Sequence, residues 1–217
     1  MIITCIAHAM FRLELESGLH IVTDPVGEDS GFPVRPVKAD IALVSHQHHD
    51  HNALQNVPGA QVIDKAGVYC PAADVRVTAV KSFHDDAQGA KRGGNLLFLI
   101  EAEGLRVAHL GDLGHLPTAE QIAAVGPVDV LMIPVGGFFT IDAAQAQQTA
   151  ELLHARVILP MHYRTALNAD WPITPIGDFT GQYDPADVRE QPLLRVAKED
   201  LMCQKRVTVL APEVLKA

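Results

Sequence analysis

The sequence predicts a mixed α/β fold in which two β-sheets pack face to face and helices cover the outside. Strand-like and helix-like segments alternate along the 217 residues, and no low-complexity linker interrupts them. The chain also divides into two β-rich halves of similar size. Two sheets that each carry an apolar face are stable when they bury those faces against each other. We therefore predict a single layered α/β (α+β) sandwich domain that spans residues 1–217.

Short apolar runs bounded by turn residues predict the strands of the first half. In chain order they are Ile2–Ala7, Phe11–Glu16, Leu19–Thr23, Ile41–Val44, Val62–Ile63, Val75–Val80, Asn95–Glu101 and Leu105–Leu110. Ser17-Gly18 and Glu103-Gly104 have the composition of tight hairpin turns. Val26–Ala39 contains Gly and Pro without a clear periodicity, so we expect a loop there. The polar, glycine-containing His84–Gly94 predicts a mobile loop.

Helices and strands continue to alternate in the second half. Thr118 and Gln121 form a capping-box pattern that opens a helix, and Gly126-Pro127 ends it. Asp142–Ala155 is rich in Ala, Gln and Leu and lacks Gly and Pro, which predicts another helix. A shorter helix is expected near Asn52–Val57. The strands predicted here are Asp129–Val135, Arg156–Leu159 and, as a late edge strand, Arg206–Leu210.

The composition is that of a soluble enzyme. Hydrophobic residues make up 48% of the chain. The sequence lacks an apolar stretch of about eighteen residues and a signal-peptide layout, so we expect a cytoplasmic protein without a membrane partner. The formal net charge of −9 argues against a nucleic-acid partner. Cys5, Cys70 and Cys203 are few, far apart and odd in number, which is a poor disulfide framework.

The most informative segment is Ser45–His51, which directly follows the apolar run Ile41–Val44. Its side chains that suit a metal ion are His46, His48, Asp50 and His51. Residues that leave a sheet together at the end of a buried strand can converge on one point, and imidazole and carboxylate are ligands that Zn²⁺ prefers. His46 and His48 can reach one metal ion, and Asp50 and His51, on the next turn of the chain, can reach a second. The segment therefore predicts a metal site rather than a histidine-rich surface loop.

Three further polar residues, His84, Asp112 and His162, also lie just past predicted strands. Taken singly, such a residue is more often a loop residue or a helix cap. Gly111 precedes Asp112 and allows the backbone to come close to a neighbour. Together with the first cluster, the three residues supply what two metal ions need, which is about four ligands each with one bridging carboxylate.

The ordered residues resemble the metallo-β-lactamase-fold hydrolase superfamily over nearly the whole chain. They are His46-x-His48-x-Asp50-His51, His84, Asp112 and His162. The phrases around Asp112 and His162 are similar to a small bacterial branch of Zn-dependent hydrolases related to the L-ascorbate-6-phosphate lactonases, as are His8–Phe11 and Ile21–Pro25. The resemblance implies a four-layer αββα sandwich, the metallo-β-lactamase fold, with metals at one edge between the sheets.

Carried over residue by residue, the resemblance implies two metal sites. His46, His48 and His84 would hold the first metal, Asp50, His51 and His162 the second, and Asp112 would bridge them. Asp24 would orient a ligand histidine from outside. Two Zn²⁺ ions per chain are expected, and the same donors tolerate Mn²⁺. His84 is the least determined ligand because the spacing around it varies most, and His109 and His115 are its alternatives.

The resemblance and the expected metals imply a hydrolase. Metal ions lower the pKa of bound water to about 7, so a metal-bound hydroxide can attack a carbonyl or phosphorus centre. Asp50 would orient this nucleophile and receive a proton, and His8 is a second catalytic candidate. The expected reaction is hydrolysis of a small-molecule ester, lactone or phosphodiester. The alternative is a metal-containing protein that binds or senses a ligand without turnover.

The substrate partner is expected to be a small molecule held by loops around the metals. Lys91 and Arg92 could pair with a substrate phosphate or carboxylate. Phe138, Phe139 and Trp171 could form an apolar wall. Strand edges at the two ends of the sandwich could support a homo-oligomer. None of these patterns identifies the substrate, because a fold does not determine one.

Overall fold

The computed structural model describes residues 1–201 and 206–213, so Cys203 lies outside the described residues. Fourteen strands in this described part form one sheet of six strands and one of eight. The first sheet contains β1 (Ile2–Ala7), β2 (Met10–Glu14), β3 (His20–Thr23), β4 (Ile41–Leu43), β5 (Gln61–Ile63) and β13 (Leu194–Arg195). The second contains β6 (Gly67–Ala72), β7 (Val75–Phe83), β8 (Gly94–Ala102), β9 (Leu105–His109), β10 (Val130–Pro134), β11 (Val157–Met161), β12 (Val188–Gln191) and β14 (Arg206–Leu210).

The helices are few and short. The α-helices of the described residues are α1 (Ala119–Val125), α2 (Ala143–Leu152) and α3 (Gly177–Thr180). Short 3₁₀ helices cover Glu28–Ser30, Leu54–Asn56, Ala166–Asn168, Pro185–Asp187 and Lys198–Asp200. Capping boxes open both α1, at Thr118, and α2, at Asp142. Across the described ranges, we find no helix with the length and apolar character that crossing a membrane requires.

Strand direction brings the carboxyl ends of many strands to one edge. The first sheet has the order β13-β1-β2-β3-β4-β5 and is antiparallel up to β3 and parallel beyond it. The second has the order β12-β14-β11-β10-β9-β8-β7-β6 and is parallel from β12 to β9 and antiparallel beyond it. Consequently β1, β3 and β4 end at one edge of the first sheet, and β7, β9, β10 and β11 at one edge of the second. Segments that follow such ends can bring several side chains to one place.

The two sheets pack face to face over an apolar core. Ile3 and Leu43 of the first sheet and Phe98 and Met132 of the second are fully buried in one cluster. Met132 faces this core, whereas its neighbour Leu131 belongs to a second cluster beneath the helices. This alternation follows from the two-residue period of a strand. Strands buried on both faces read as continuous apolar runs, which is why the second-half strands are visible in the sequence.

Different structures cover the outer faces of the two sheets. On the second sheet, α1 and α2 contribute Val125 and Ala146 to the buried cluster. On the first sheet, residues 26–39 cover the outer face with Phe32 and Val34, which pack in a cluster with Val22 of β3. The architecture is therefore a helical layer, two sheets, and a fourth layer of loops with short 3₁₀ helices.

The predicted fold class is confirmed, and the predicted bounds of Ile2–Ala7 and Arg206–Leu210 coincide with β1 and β14. The prediction that Arg206–Leu210 is an edge strand is wrong, because β12 pairs with its outer side. Strands β6, β12 and β13 have no counterpart among the predicted strands. The side chains of β6 and β12 are exposed or half-buried, and β13 has two residues, so none of them shows an alternating apolar pattern.

Replacing the N-cap of α2, Asp142→Ala, should lower the free energy of unfolding by about 1 kcal/mol. The Asp142 carboxylate accepts a hydrogen bond from the Gln145 N–H at 2.8 Å, and alanine leaves that donor without a protein partner. Urea unfolding followed by circular dichroism measures the change. Gln148→Ala, at an exposed position inside the same helix, is the control and should change stability by less than about 0.5 kcal/mol. Equal losses in the two variants would contradict the capping role.

Candidate metal centre

The candidate ligands follow the carboxyl ends of strands in both sheets. His8 follows β1, Asp24 follows β3, His46, His48, Asp50 and His51 follow β4, His84 follows β7, Asp112 follows β9 and His162 follows β11. Because these strand ends lie at one edge of each sheet, side chains from both sheets meet at one site. The seven predicted metal ligands and His8 all lie in this site.

The carboxylate of Asp112 lies at the centre of the site. Its Oδ2 atom is close to the Nε2 atoms of four histidines, at 3.8 Å from His46, 3.3 Å from His51, 3.2 Å from His84 and 3.1 Å from His162. Asp112 is only 2% exposed. A carboxylate oxygen surrounded in this way can bridge two cations that share it.

The donors divide into two groups around this carboxylate. One group is His46, His48 and His84, and the other is His8, Asp50, His51 and His162. Within each group, one ligand atom of every residue lies within 4.8 Å of the others. The division matches the two predicted ligand sets, with His8 added to the second, where its Nε2 is 3.7 Å from Asp50 Oδ2. Donors at this spacing could hold two metal ions.

The structure distinguishes His84 from its two alternatives. The Nε2 atom of His109 lies 3.0 Å from the Ala9 carbonyl oxygen, and its Nδ1 accepts the Gly111 N–H at 3.1 Å. Both ring nitrogens of His115 are likewise hydrogen-bonded to backbone atoms, at 3.3 and 2.8 Å. Neither histidine therefore has a nitrogen directed at the site, whereas His84 faces the central carboxylate.

Several buried polar atoms of the site have no hydrogen-bond partner among the described residues. They are both ring nitrogens of His8, Nε2 of His46 and His51, Nδ1 of His84 and His162, and Oδ1 of Asp112. Each such atom costs roughly 1–3 kcal/mol when it stays unpaired. A divalent cation can be bound by the lone pairs of ring nitrogens and carboxylate oxygens, and a set of imidazoles with two carboxylates suits Zn²⁺ best. The residues present therefore fit the expected metal.

Burial and charge set the protonation of these groups. Burial lowers the pKa of His46 to about 3, so this imidazole is neutral at pH 7. Burial would raise the pKa of Asp112, but His162 and His51 hold it well below its usual value, and the carboxyl group is ionised. Burial would also lower the pKa of His51, yet the Asp112 and Asp24 carboxylates raise it well above the usual value. A cation that binds this imidazole must displace its proton.

Asp24 orients two of the candidate ligands from behind. Its Oδ2 atom lies 2.9 Å from Nδ1 of His51 and accepts the Ser45 hydroxyl at 2.7 Å, while its Oδ1 accepts the Ser45 N–H at 2.7 Å. The Ser45 hydroxyl has a single proton, and it donates this proton in the hydrogen bond to the Asp24 carboxylate. Ser45 Oγ therefore accepts a hydrogen bond from Nδ1 of His46 at 2.8 Å. Both Nδ1 atoms are thereby engaged, which leaves each Nε2 directed at Asp112. The role of Ser45 is not visible in the sequence pattern.

Asn95 positions the central carboxylate through the backbone. Its Oδ1 accepts the Asp112 N–H at 3.0 Å, and its Nδ2 donates to the Leu110 carbonyl at 2.9 Å. Gly111 has a φ of 53°, and a Cβ atom there would overlap Asn95 Oδ1 and lie 2.5 Å from Cβ of Ser45. The close approach predicted at Gly111 is thus an approach to these two side chains. Asn95 itself reads in the sequence as an ordinary strand residue.

Three residues of the site have left-handed backbone conformations. The φ angles are 54° for His8, 37° for Asp24 and 53° for His162. Each residue directly follows the last residue of its strand. Such conformations cost about 1–3 kcal/mol each and persist where the surrounding structure determines them, often at functional sites. The backbone therefore turns sharply at the points where these side chains enter the site.

Aromatic residues border one side of the second ligand group. The ring of Trp171 lies 5.2 Å from that of His8, 6.3 Å from that of His162 and 6.4 Å from that of Phe139, between centroids. Of the three residues predicted to form an apolar wall, Phe139 and Trp171 are therefore in contact. Phe138 also contacts Phe139, with 4.8 Å between their ring centroids, although Phe138 is 63% exposed.

The loop after β7 is held together by Asp85, whose role the sequence does not reveal. Its carboxylate accepts four backbone N–H groups at 2.7–2.9 Å, from Ala87, Gly89, Lys91 and Arg92. Burial would raise the pKa of Asp85, but these hydrogen bonds lower it to about 2. The polar composition of His84–Gly94 predicted a mobile loop, and these four bonds indicate an ordered one instead.

The sequence and the fold are similar to those of known proteins. The profile of the family described as Beta-lactamase superfamily domain matches residues 2–162. A UPF0173 metal-dependent hydrolase of Carboxydothermus hydrogenoformans is 30% identical over 208 residues, covering 82% of this chain and 89% of the relative. Another from Pyrococcus furiosus is 29% identical over 201 residues, covering 78% and 85%. A Thermotoga maritima structure described as a candidate Zn-dependent hydrolase of the metallo-β-lactamase superfamily has 37% identity and a TM-score of 0.80, covering 96% and 97%.

Asp24→Asn should reduce zinc affinity about 10- to 100-fold, because the amide removes the charge that orients the ligand histidines. Competition with a chromogenic zinc chelator measures the affinity, and circular dichroism checks the fold. Asp178→Asn makes the same change at an exposed carboxylate and should leave the affinity unchanged. An Asp24→Asn protein with wild-type affinity would rule out this orienting role.

Gly111→Ala should destabilise the protein by at least about 1 kcal/mol more than Gly104→Ala. Both glycines have positive φ angles, 53° and 71°, so both variants carry the conformational cost. Only at Gly111 does the new Cβ atom also overlap neighbouring side chains, since nothing lies within 4 Å of the Cβ position at Gly104. Urea unfolding measures the difference, and equal losses would show that the crowding at Gly111 relaxes without cost.

Proposed function

This chain belongs to the β-lactamase superfamily, and on that premise we propose that it is a binuclear zinc hydrolase of a small-molecule ester, lactone or phosphodiester. Its relatives named as metal-dependent hydrolases support the broader class, a metal-dependent hydrolase of this superfamily. The number of metal ions, their identity and the type of bond cleaved are the parts that we propose.

The observation that carries the proposal is the position of Asp112 Oδ2 among four imidazole nitrogens at 3.1–3.8 Å. A site for one metal needs about four donors and no carboxylate shared between donor groups. Here two groups of three and four donors flank the same buried oxygen. The arrangement supports His46, His48 and His84 as ligands of one zinc ion, Asp50, His51 and His162 as ligands of the other, and Asp112 as the bridge.

Asp50 and His8 are the residues best placed to move protons. When bound, zinc ions lower the pKa of water from about 15.7 to about 7 and polarise a carbonyl or phosphoryl oxygen. Asp50 Oδ2 lies 3.5 Å from His51 Nε2 and 3.7 Å from His8 Nε2, and its side chain is 11% exposed. Asp50 can therefore accept a proton from an attacking water molecule. His8, which burial keeps neutral by lowering its pKa, can receive this proton and pass it to the leaving oxygen.

The aromatic side of the site supports a substrate with an apolar part. Trp171 and Phe139 lie beside the ligand group that contains His8 and His162. Flat apolar rings next to a polar reaction centre are typical of small-molecule pockets. These rings would also limit the access of bulk water to the proton path between Asp50 and His8.

His84→Ala should lower the zinc content from two ions to about one per chain and reduce kcat/KM at least about 100-fold, because it removes one ligand of one site. Elemental analysis of protein purified without chelator or added metal measures the zinc. A panel of chromogenic esters, lactones and phosphodiesters measures the activity. His115→Ala removes a histidine whose nitrogens bond backbone atoms and should retain both ions and full activity.

Three results would contradict parts of the proposal. Unchanged zinc content in His84→Ala would remove this residue from the ligand set. A zinc-loaded wild-type protein that turns over no member of the panel would favour the ligand-binding alternative. Iron in place of zinc would contradict the choice of metal.

A further inference from the structure

A cleft of about 740 Å³ opens beside His46 and His48 and has an unusual charge. Its charged lining residues are Lys65, Lys81, Arg92 and Asp64, three cations against one carboxylate. The chain as a whole has a formal net charge of −9. The surface next to the metal centre therefore has the opposite sign to the rest of the protein.

The three cations of the cleft have no acidic partner. Within the described residues, no ion pair or side-chain hydrogen bond joins Lys65, Lys81 or Arg92 to a carboxylate. Lys91 differs in this respect, because its Nζ lies 2.7 Å from Asp86. Of the two basic residues that the sequence offered for substrate binding, only Arg92 is thus available to the cleft.

The position of Arg92 is fixed from two directions. Its backbone N–H donates to Asp85 Oδ2 at 2.7 Å, within the set of four bonds that orders the loop. Its guanidinium carbon lies 5.5 Å from the centroid of the Phe139 ring, a cation–π contact. Asp85 directly follows His84, so the turn that carries a metal ligand also positions Arg92. The guanidinium is held between the cationic cleft and the aromatic residues.

We propose that this cleft binds an oxyanion of the substrate, a phosphate or a carboxylate, with Arg92 as the principal contact and Lys81 and Lys65 as supporting charges. The inference rests on the proposed function, and it narrows the substrate to an anionic ester, lactone or phosphodiester. A planar guanidinium can form two parallel hydrogen bonds to either oxyanion, which a lysine cannot reproduce. The residues of the candidate metal centre would hold the metal ions beside the reacting group, and the cleft would bind the part of the substrate that carries the charge.

Trp171 gives a test that does not depend on turnover. It is the single tryptophan of the chain, and its ring lies 6.4 Å from that of Phe139, the ring beneath Arg92. We would titrate the zinc-loaded protein with phenyl phosphate, and with benzyl alcohol as a neutral control, and follow Trp171 fluorescence. Arg92→Ala should weaken phenyl phosphate binding about tenfold or more, and Arg92→Lys should fall between that variant and the wild type. Lys91→Ala, the neighbouring cation paired with Asp86, should bind like the wild type.

Kinetics on matched substrates provides the second measurement. With neutral and carboxylate-bearing members of one ester or lactone series, Arg92→Ala should raise KM about tenfold for the anionic members and leave the neutral members unchanged. An equal loss on both kinds of substrate would assign Arg92 a structural role and overturn the proposal. Retained binding of phenyl phosphate in Arg92→Ala would overturn it as well.

The two proposals can fail separately. Phenyl phosphate binding that depends on Arg92, in a protein that hydrolyses no panel member, would support the anion site and reject the hydrolase function. Hydrolysis of the panel with phenyl phosphate binding that ignores Arg92 would support the hydrolase function and reject the anion site.

Discussion

The buried carboxylate of Asp112 is the group on which the rest of the site depends. Four imidazoles from both sheets face one of its oxygens, and it is almost fully enclosed. An ionised group at this depth costs several kcal/mol unless an opposite charge compensates it. Protonation of all the imidazoles would not compensate this charge favourably, because the rings lie close to one another and repel when charged. Divalent cations would compensate the carboxylate and pair with the ring nitrogens that face it, such as Nε2 of His46 and His51, so cation binding and stability are linked at this centre.

The architecture holds this arrangement rigid from outside. Asp24 and Ser45 fix the ring orientation of two histidines, and Asn95 fixes the backbone of the central aspartate. His8, Asp24 and His162 adopt strained conformations where strands end. The strain is tolerated because the ends of the strands that lead into these residues are buried in the core. A site assembled from strand ends of two packed sheets therefore gains its geometry from the core rather than from the loops themselves.

Charge is distributed unevenly over the surface of the protein. The formal net charge is −9, and the cationic cleft is confined to one opening beside the candidate metal centre. A small molecule with a single phosphate or carboxylate can enter that local field without meeting the rest of the acidic surface. Because the Asp85 carboxylate accepts hydrogen bonds from backbone N–H groups, it orders the loop that carries Arg92. The candidate ligand His84, the ordered loop and Arg92 are thus consecutive parts of one chain segment.

The sequence by itself determined the fold class and the composition of the site. The continuous apolar runs of the second sheet and the His46-x-His48-x-Asp50-His51 segment are local properties, and local pattern is what a sequence displays. Tertiary structure alone decided that His84 rather than His109 or His115 faces the carboxylate, because all three are histidines near strand ends and only their partners differ. It also decided the roles of Ser45 and Asn95, whose partners lie 21 and 17 residues away. The strands β6 and β12 became visible only in the structure, since backbone pairing of strands whose side chains are exposed or half-buried leaves little trace in the amino-acid pattern.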